Sequence, residues 1–460
     1  MKKYVFIFIL IFSALACNFA TQAFESPTPI PTVTPSAIPA TATPELPTPV
    51  YIPAACQSVP LATVPASTAL AEPTPYLQSN PEVSAEMQKQ VFNDVVHIVE
   101  EVYVYPDFNG VDWEGLKARH KAEIEAGLNT EQFYENIQTL IFELNDDHSG
   151  LESPVEVAAS DAQLAGTDDF VGIGVFIVPM IEKQSISVIF TFPNSPAEHA
   201  GIKPHDSILF ADGNPIIQDG QERTQLVRGP ECSAVYLTVQ SPGEAPRELM
   251  LVRERISGST VVDYSLLPTS DGSRIGYIFL PTFFDETVPG QVRAALESFE
   301  NLDGLILDNR MNGGGSSSVV EPLLSYFTSG TVGSMVSRSQ NNPIVIEPNP
   351  INNSQTVPIV VLVGEDTVSY GEIFSGALRD LGRASIVGQP TLGNVEILHG
   401  YSLSDGSRLW IAEDTFVPVH STENWEITGI VPDVVAYADW DTFTLENDPG
   451  VQAAVKLLGH

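Results

Sequence analysis

The chain has 460 residues, long enough for two or three domains with cores of their own. Its 58 Asp and Glu outnumber 21 Lys and Arg, giving a formal charge of -37. Such a surface repels phosphate backbones, which argues against nucleic-acid binding and against polybasic membrane attachment.

The first residues have the form of an export signal. Lys2 and Lys3 precede an apolar run from Tyr4 to Ala16, broken only by Ser13. The run is too short for an ordinary spanning helix and suits a cleaved leader over 1–16. It ends Ala14-Leu15-Ala16-Cys17, which resembles a bacterial lipobox with Cys17 as the lipidated residue. Residues 26–75 hold 13 of the 36 prolines and contain no Gly, Lys or Arg. A segment of this kind builds no core, so 17–75 reads as an extended tether between a lipid anchor and a folded body. Cys56 and Cys232 then remain in an oxidising compartment, and their pairing is left open. No CxxC or HExxH occurs, so the expectation is no metal and no organic cofactor.

Residues 84–152 form a helical lead. Met87, Val91, Val95, Ile98, Val99 and Val102 recur at helical spacing. Trp113, Leu116 and Ile124 predict a second helix ending near Gly127. Thr130 caps a third, with Phe133, Ile137, Leu140, Ile141 and Leu144 on its buried side.

From 165 to 256 the pattern changes to short strands and tight turns. The run Asn194-Ser195-Pro196-Ala197-Glu198-His199-Ala200-Gly201-Ile202 closely resembles a stretch of PDZ domains in which a short helix is followed by a glycine turn and a strand. The resemblance implies a PDZ-like β domain in which Val171, Gly172, Ile173 and Gly174 form the peptide-binding loop. Free backbone N–H groups there would grip a chain terminus while the peptide adds as a strand.

From 270 to 440 strands and helices alternate. Ile275–Leu280, Gly304–Asp308 and Ile359–Val363 read as strands. Gln291–Phe299, a segment running to Leu324, and Ser369–Leu381 read as helices. This predicts an α/β core with a mostly parallel sheet, in an α+β multidomain chain. Sites in such folds lie at the carboxyl ends of strands. Two features do: the glycine run Gly313-Gly314-Gly315, and Ser369 at the mouth of a helix. A serine there, the next amide and a glycine amide make an acyl-transfer site with an oxyanion hole. Equally, Ser is a common helix cap and a glycine run a common loop.

The stretch Gly304-Leu305-Ile306-Leu307-Asp308-Asn309-Arg310-Met311-Asn312-Gly313-Gly314-Gly315 is similar to a signature of the tail-specific (C-terminal processing) serine peptidases. So are Ser369-Tyr370-Gly371-Glu372-Ile373, the run from Gly376 to Thr391, and Gly429-Ile430-Val431-Pro432-Asp433. The resemblance covers about 85–440. It implies a ClpP/crotonase-like core, hydrolysis of protein or peptide substrates, and Ser369 as nucleophile. Tyr370, Gly313 and Gly314 would supply the oxyanion hole. Many members use a lysine 25 residues after the serine. Here that position is Asn394, and no lysine occurs between Lys203 and Lys456. The catalytic pattern is closer to the tricorn protease core, which implies His148 as base and Glu426 as its carboxylate. His399 and His420 are alternatives for the base, and Glu423 and Asp147 compete with Glu426. Glu372 reads as a structural residue of the helix's first turn. A rival reading, suited to the missing lysine, is an inactive peptide- or lipid-binding protein on the same fold. Oligomeric state, substrate and cleavage preference are left open.

Overall fold

The computed structural model describes residues 51–58, 79–146, 148–165, 169–257 and 260–460. The leader, Cys17, most of the tether and Asp147 lie outside the described residues. Among the described residues no helix is long and apolar enough to cross a membrane.

Helix α1 (Ala85–Val102) buries Val91, Val95 and Val99 on one stripe, as their spacing predicts. After α2 (Trp113–Ala126) comes α3 (Thr130–Phe142), whose apolar residues Phe133, Ile137, Leu140 and Ile141 are fully buried. Its cap is Asn129, not Thr130. Asn129 accepts the Gln132 amide at 2.9 Å and donates its own to Gln132 Oε1 at 3.2 Å, a reciprocal capping box. Thr130 is the first helical residue, and its hydroxyl oxygen accepts the Val83 amide. These helices share a core with Leu403, Leu409, Ile411 and Ala412 of a distant hairpin.

That hairpin belongs to an antiparallel sheet that the alternation of strands and helices does not show. Gly150–Glu152, Arg408–Val417, Gly330–Val336 and Asn341–Ile346 lie in that order, with Glu396–Ser402 also paired to Arg408–Val417. The core therefore does not rest on one mostly parallel sheet, and across the chain antiparallel pairing predominates. Short connections such as Leu403–Ser407 allow only antiparallel neighbours. Among the described residues the parallel strand pairs lie in a second sheet of the core, beside one isolated parallel bridge between Phe283 and Gly315. In that sheet Ile275–Phe279, Gly304–Asp308, Ile359–Val363, Ala384–Gly388 and Val434–Val435 run parallel, with Tyr264–Leu267 antiparallel at one edge.

Helix α4 (Pro154–Leu164) follows the short strand Gly150–Glu152, and the four-residue α5 (Pro196–His199) lies in a separate antiparallel unit. That unit orders its strands Arg247–Val252, Ala234–Gln240, Ser207–Ala211, Ser185–Thr191 and Val175–Met180. A disulfide joins Cys56 to Cys232. Gly174 has φ +77°, and a Cβ there would fall 2.2 Å from Ser195 Cβ, so only glycine fits. Val171 and Gly172 pair with Arg255 and Glu254, so this stretch is already part of a strand pair.

Helices α6 (Val288–Phe299), α7 (Ser317–Phe327) and α8 (Tyr370–Asp380) cover one face of the parallel sheet. Residues Leu305, Leu307, Val361 and Val363 point to that face. Their neighbours Ile306, Val360 and Leu362 point to the other, the period-2 alternation of a strand. On that second face lie α10 (Pro449–Leu457), Trp440, Phe443 and four residues of the antiparallel unit, Val178, Ile189, Phe190 and Phe192. The last short helix, α9 (Trp425–Thr428), precedes the final strand.

Candidate active site

Ser369 sits between the strand Ile359–Val363 and α8. Its φ of +54° and ψ of -124° are unusual for a residue with a side chain, a strain on the order of 1–3 kcal/mol that surrounding bonds must hold. Several do. Thr367 Oγ1 donates to the Asn309 carbonyl at 2.8 Å, and the Val368 amide donates to the Asn312 carbonyl at 3.0 Å. Asn309 Nδ2 donates to the Gly371 carbonyl and to Ser375 Oγ. These bonds lock the serine turn to the segment that follows the strand Gly304–Asp308.

The glycine run lies directly against the serine. Gly314 has φ +94°, and a Cβ on it would lie 2.8 Å from Ser369 Cβ and 3.2 Å from the Tyr370 nitrogen. The Gly314 amide donates to Asn312 Oδ1 at 3.0 Å, while its carbonyl accepts the Phe283 amide at 2.8 Å. Gly314 therefore fixes the loop, and its own N–H is turned to Asn312. The Tyr370 and Gly313 amides make no hydrogen bond among the described residues.

Glu372, in the first turn of α8, is fully buried and ties three segments together. It accepts the amides of Ser369 at 3.1 Å, Gly393 at 2.8 Å and Asn394 at 2.8 Å, and also the Thr391 hydroxyl. Burial pushes its carboxyl up to about 7, against the pull of these donors. The next amide, Val395, donates to Glu426 Oε2 at 2.7 Å. A continuous bonded path thus runs from Ser369 through 393–395 to Glu426.

Glu426 Oε1 lies 2.9 Å from His148 Nε2. His148 is carried on a turn after α3 that Asp146 shapes, its Oδ1 accepting the amides of His148 at 3.1 Å and Ser149 at 2.6 Å. Ser149 Oγ donates to Asp146 and accepts the Ala412 amide, anchoring the turn to the antiparallel sheet. Burial alone would disfavour the charged ring. The hydrogen bond and charge of Glu426, with the charges of Glu396 and Asp146, outweigh it and lift His148 to about 9. Among the described residues no hydrogen bond joins His148 to Ser369, and His148 Nδ1 is buried without a partner.

Of the other candidates, His399 is half-exposed and bonded to Asp414 at 2.7 Å. The His420 amide donates to Asp380, and Glu423 pairs with Arg379 at the surface. None joins the network around Ser369. Glu396 was not foreseen. Its Oε2 lies 3.5 Å from His148 Nε2, and it accepts the Tyr105 hydroxyl through Oε1. Burial and the charge of Glu426 raise its carboxyl to about 7, with His148 pulling the other way. It stands two residues after Asn394, at the start of a strand, and no local motif marks it.

A serine on a strained turn, an adjoining free amide and a histidine–carboxylate pair can carry out acyl transfer. Residues 274–436 match Peptidase family S41, and residues 84–141 match the tricorn protease C1 domain. The chain is 30% identical over 395 residues to a carboxyl-terminal-processing protease of Synechocystis sp., covering 83% of this chain and 90% of that one. It is 30% identical over 357 residues to the chloroplastic carboxyl-terminal-processing peptidase 2 of Arabidopsis thaliana, covering 75% of this chain and 68% of that one. The solved photosystem II D1 C-terminal processing protease shares the fold, with a TM-score of 0.54 and 24% identity over 81% of this chain and 97% of that one. The chain belongs to Peptidase family S41, with the carboxyl-terminal-processing proteases, and is a serine-type peptidase.

Proposed function

We propose that this peptidase is exported and cleaves extracytoplasmic proteins or peptides, with Ser369 as nucleophile, His148 as general base and Glu426 as the carboxylate that orients the base. The single observation that carries the reading is the partly buried His148–Glu426 pair at 2.9 Å, tied through Val395, Asn394 and Glu372 to the Ser369 turn.

At neutral pH the resting ring carries both protons. The working base is its neutral form, with the Nε2 proton kept by Glu426 and the lone pair on Nδ1. Ser369 Oγ attacks the scissile carbonyl carbon while Nδ1 takes the hydroxyl proton. The oxyanion rests on the amides of Tyr370 and Gly313, with Gly314 setting their approach. The imidazolium, faced by Glu426 and Glu396, returns its proton to the leaving amine. Water then repeats the sequence on the acyl-enzyme. Substrate entry brings Ser369 and His148 into bonding distance, because such bonds often close only in the substrate complex.

The antiparallel unit at 165–256 acts as a PDZ-like capture module for a chain terminus or extended segment. The lipobox-like Ala14–Cys17 supports a lipid anchor for a body held outside the membrane. The Cys56–Cys232 bridge supports that compartment, since disulfides persist where the milieu is oxidising.

The test is labelling of the full chain with a fluorescent fluorophosphonate, beside Ser369→Ala and His148→Ala. Labelling lost in both variants is expected. Labelling lost only in Ser369→Ala would move the base away from His148.

A further inference from the structure

Three donor atoms converge at the candidate base although the sequence holds no metal motif. One donor atom from each of His148, Glu396 and Glu426 lies within 4.8 Å of the other two, and His148 Nε2 is 3.5 Å from Glu396 Oε2 and 2.9 Å from Glu426 Oε1. They come from three segments: the turn after α3, the start of the strand Glu396–Ser402, and α9. Ligands at about 2.0–2.1 Å from a tetrahedral zinc ion stand about 3.3 Å apart. The observed spacing is within a few tenths of an ångström of that figure at both contacts of the ring.

Glu396 is what a peptidase alone does not explain. A serine–histidine–carboxylate site needs one carboxylate, and Glu426 supplies it. Glu396 is only 3% exposed, its Oε2 faces the imidazole, and that oxygen has no hydrogen-bond partner among the described residues. A buried carboxylate oxygen without a donor is costly unless something positive meets it, and among the described residues only the protonated His148 ring does so, leaving the oxygen unmet whenever that ring is neutral. We propose that His148, Glu396 and Glu426 form a binding site for a divalent transition-metal ion of the zinc type, and that the bound ion reversibly silences the peptidase.

The donor set selects the ion class. One imidazole and two carboxylates suit zinc, whereas calcium takes six to eight oxygens and magnesium a near-ideal octahedron. The silencing follows from the tautomer. A metal on Nε2 needs that nitrogen's lone pair, so the Nε2 proton is released to solvent and the ring's remaining proton stays on Nδ1. The base needs the reverse, a proton on Nε2 and a lone pair on Nδ1. One ring cannot serve both. Binding of the ion does not depend on the peptidase mechanism; the silencing rests on His148 being the base.

The experiment uses the full chain, stripped of metal with a chelator, titrated with zinc chloride and followed by calorimetry. One site is expected, with Glu396→Gln and Glu426→Gln each weakening it by at least about tenfold. His399→Ala, at a surface histidine–carboxylate pair, leaves it unchanged. Circular dichroism confirms that each variant is folded, and having two variants covers the loss of one. A wild type that binds zinc no more tightly than both folded variants would overturn the site. In parallel, zinc should slow fluorophosphonate labelling of the wild type, and chelator should restore it. The zinc concentration that does so should leave Glu396→Gln at its own zinc-free rate. Tight zinc binding with undiminished labelling overturns the silencing. A zinc-free wild type that never labels sinks the peptidase mechanism, while one-site binding lost in the variants still upholds the ion site.

Discussion

His148 Nε2 lies 2.9 Å from Glu426 Oε1 across 278 residues of chain. The contact exists because the helical lead buries its apolar stripe against Leu409, Ile411 and Ala412, on the same sheet whose edge strand begins at Glu396. Losing the carboxylate should loosen the ring without unfolding the body. Glu426→Gln is expected to lower the fluorophosphonate labelling rate by at least about tenfold, within the range for general-base contributions. Stopped-time labelling with an unchanged circular dichroism spectrum checks it.

Gly314 leaves no room for a side chain. A methyl there would press on Ser369 Cβ and the Tyr370 amide from a backbone with φ +94°. Gly314→Ala should cost about 1–3 kcal/mol of stability and about 10²–10³ in turnover, because the oxyanion donors move. Urea denaturation and peptide hydrolysis measure the two.

Glu372 makes the site sensitive to pH. Its folded-state carboxyl, raised by burial to about 7, lies above the ordinary value of about 4.3. The group's contribution to stability is therefore fully present below about 4.3 and is lost as pH rises through about 7. Its contribution to activity runs the other way. Protonation removes acceptor capacity from the Ser369, Gly393 and Asn394 amides, so labelling should fall as pH drops through about 7. Glu396, also raised to about 7, and His148, raised to about 9 and active only when neutral, titrate nearby, so a labelling profile from pH 5 to 8 should fall less steeply in Glu372→Gln than in the wild type and keep the share of those two groups.

Asn394 stands where many relatives of the resembled pattern carry lysine. Its backbone amide serves Glu372 here, whatever the side chain. Asn394→Lys is expected not to raise the labelling rate. A large gain would show that the serine was built for an amine and had lost it.

The Cys56–Cys232 bridge closes a loop with a sequence separation of 176. Reduction, or Cys232→Ser, should lower unfolding free energy by about 2–5 kcal/mol, read from denaturant midpoints with and without reductant.

Much of this was legible in the sequence. The strands Gly304–Asp308, apolar up to its closing aspartate, and Ile359–Val363, apolar throughout, are returned by the structure with those bounds. Val91, Val95 and Val99 announce a buried helical stripe. The antiparallel sheet was missed although Asp405-Gly406 is a turn signal, because Leu398–Trp410 alternates weakly around polar residues. Glu396 and the bonds of Glu372 were invisible for a different reason. They depend on which segments meet in space, and no local pattern records that a strand's first carboxylate will face a histidine from a distant turn. The Gly314 amide was open to the same uncertainty, since a glycine run does not say where each N–H points.

The disulfide also changes what a cut in the chain can do. His148 lies inside the loop closed by Cys56 and Cys232, and Ser369 lies beyond it. A single cleavage anywhere from Gln57 to Glu231 opens that loop but leaves both pieces covalently joined. Nicked protein would migrate as one band without reductant and as two with it. For cuts beyond His148, the histidine-bearing piece would stay attached to the serine-bearing piece even after proteolysis by a neighbour or by another copy of the enzyme.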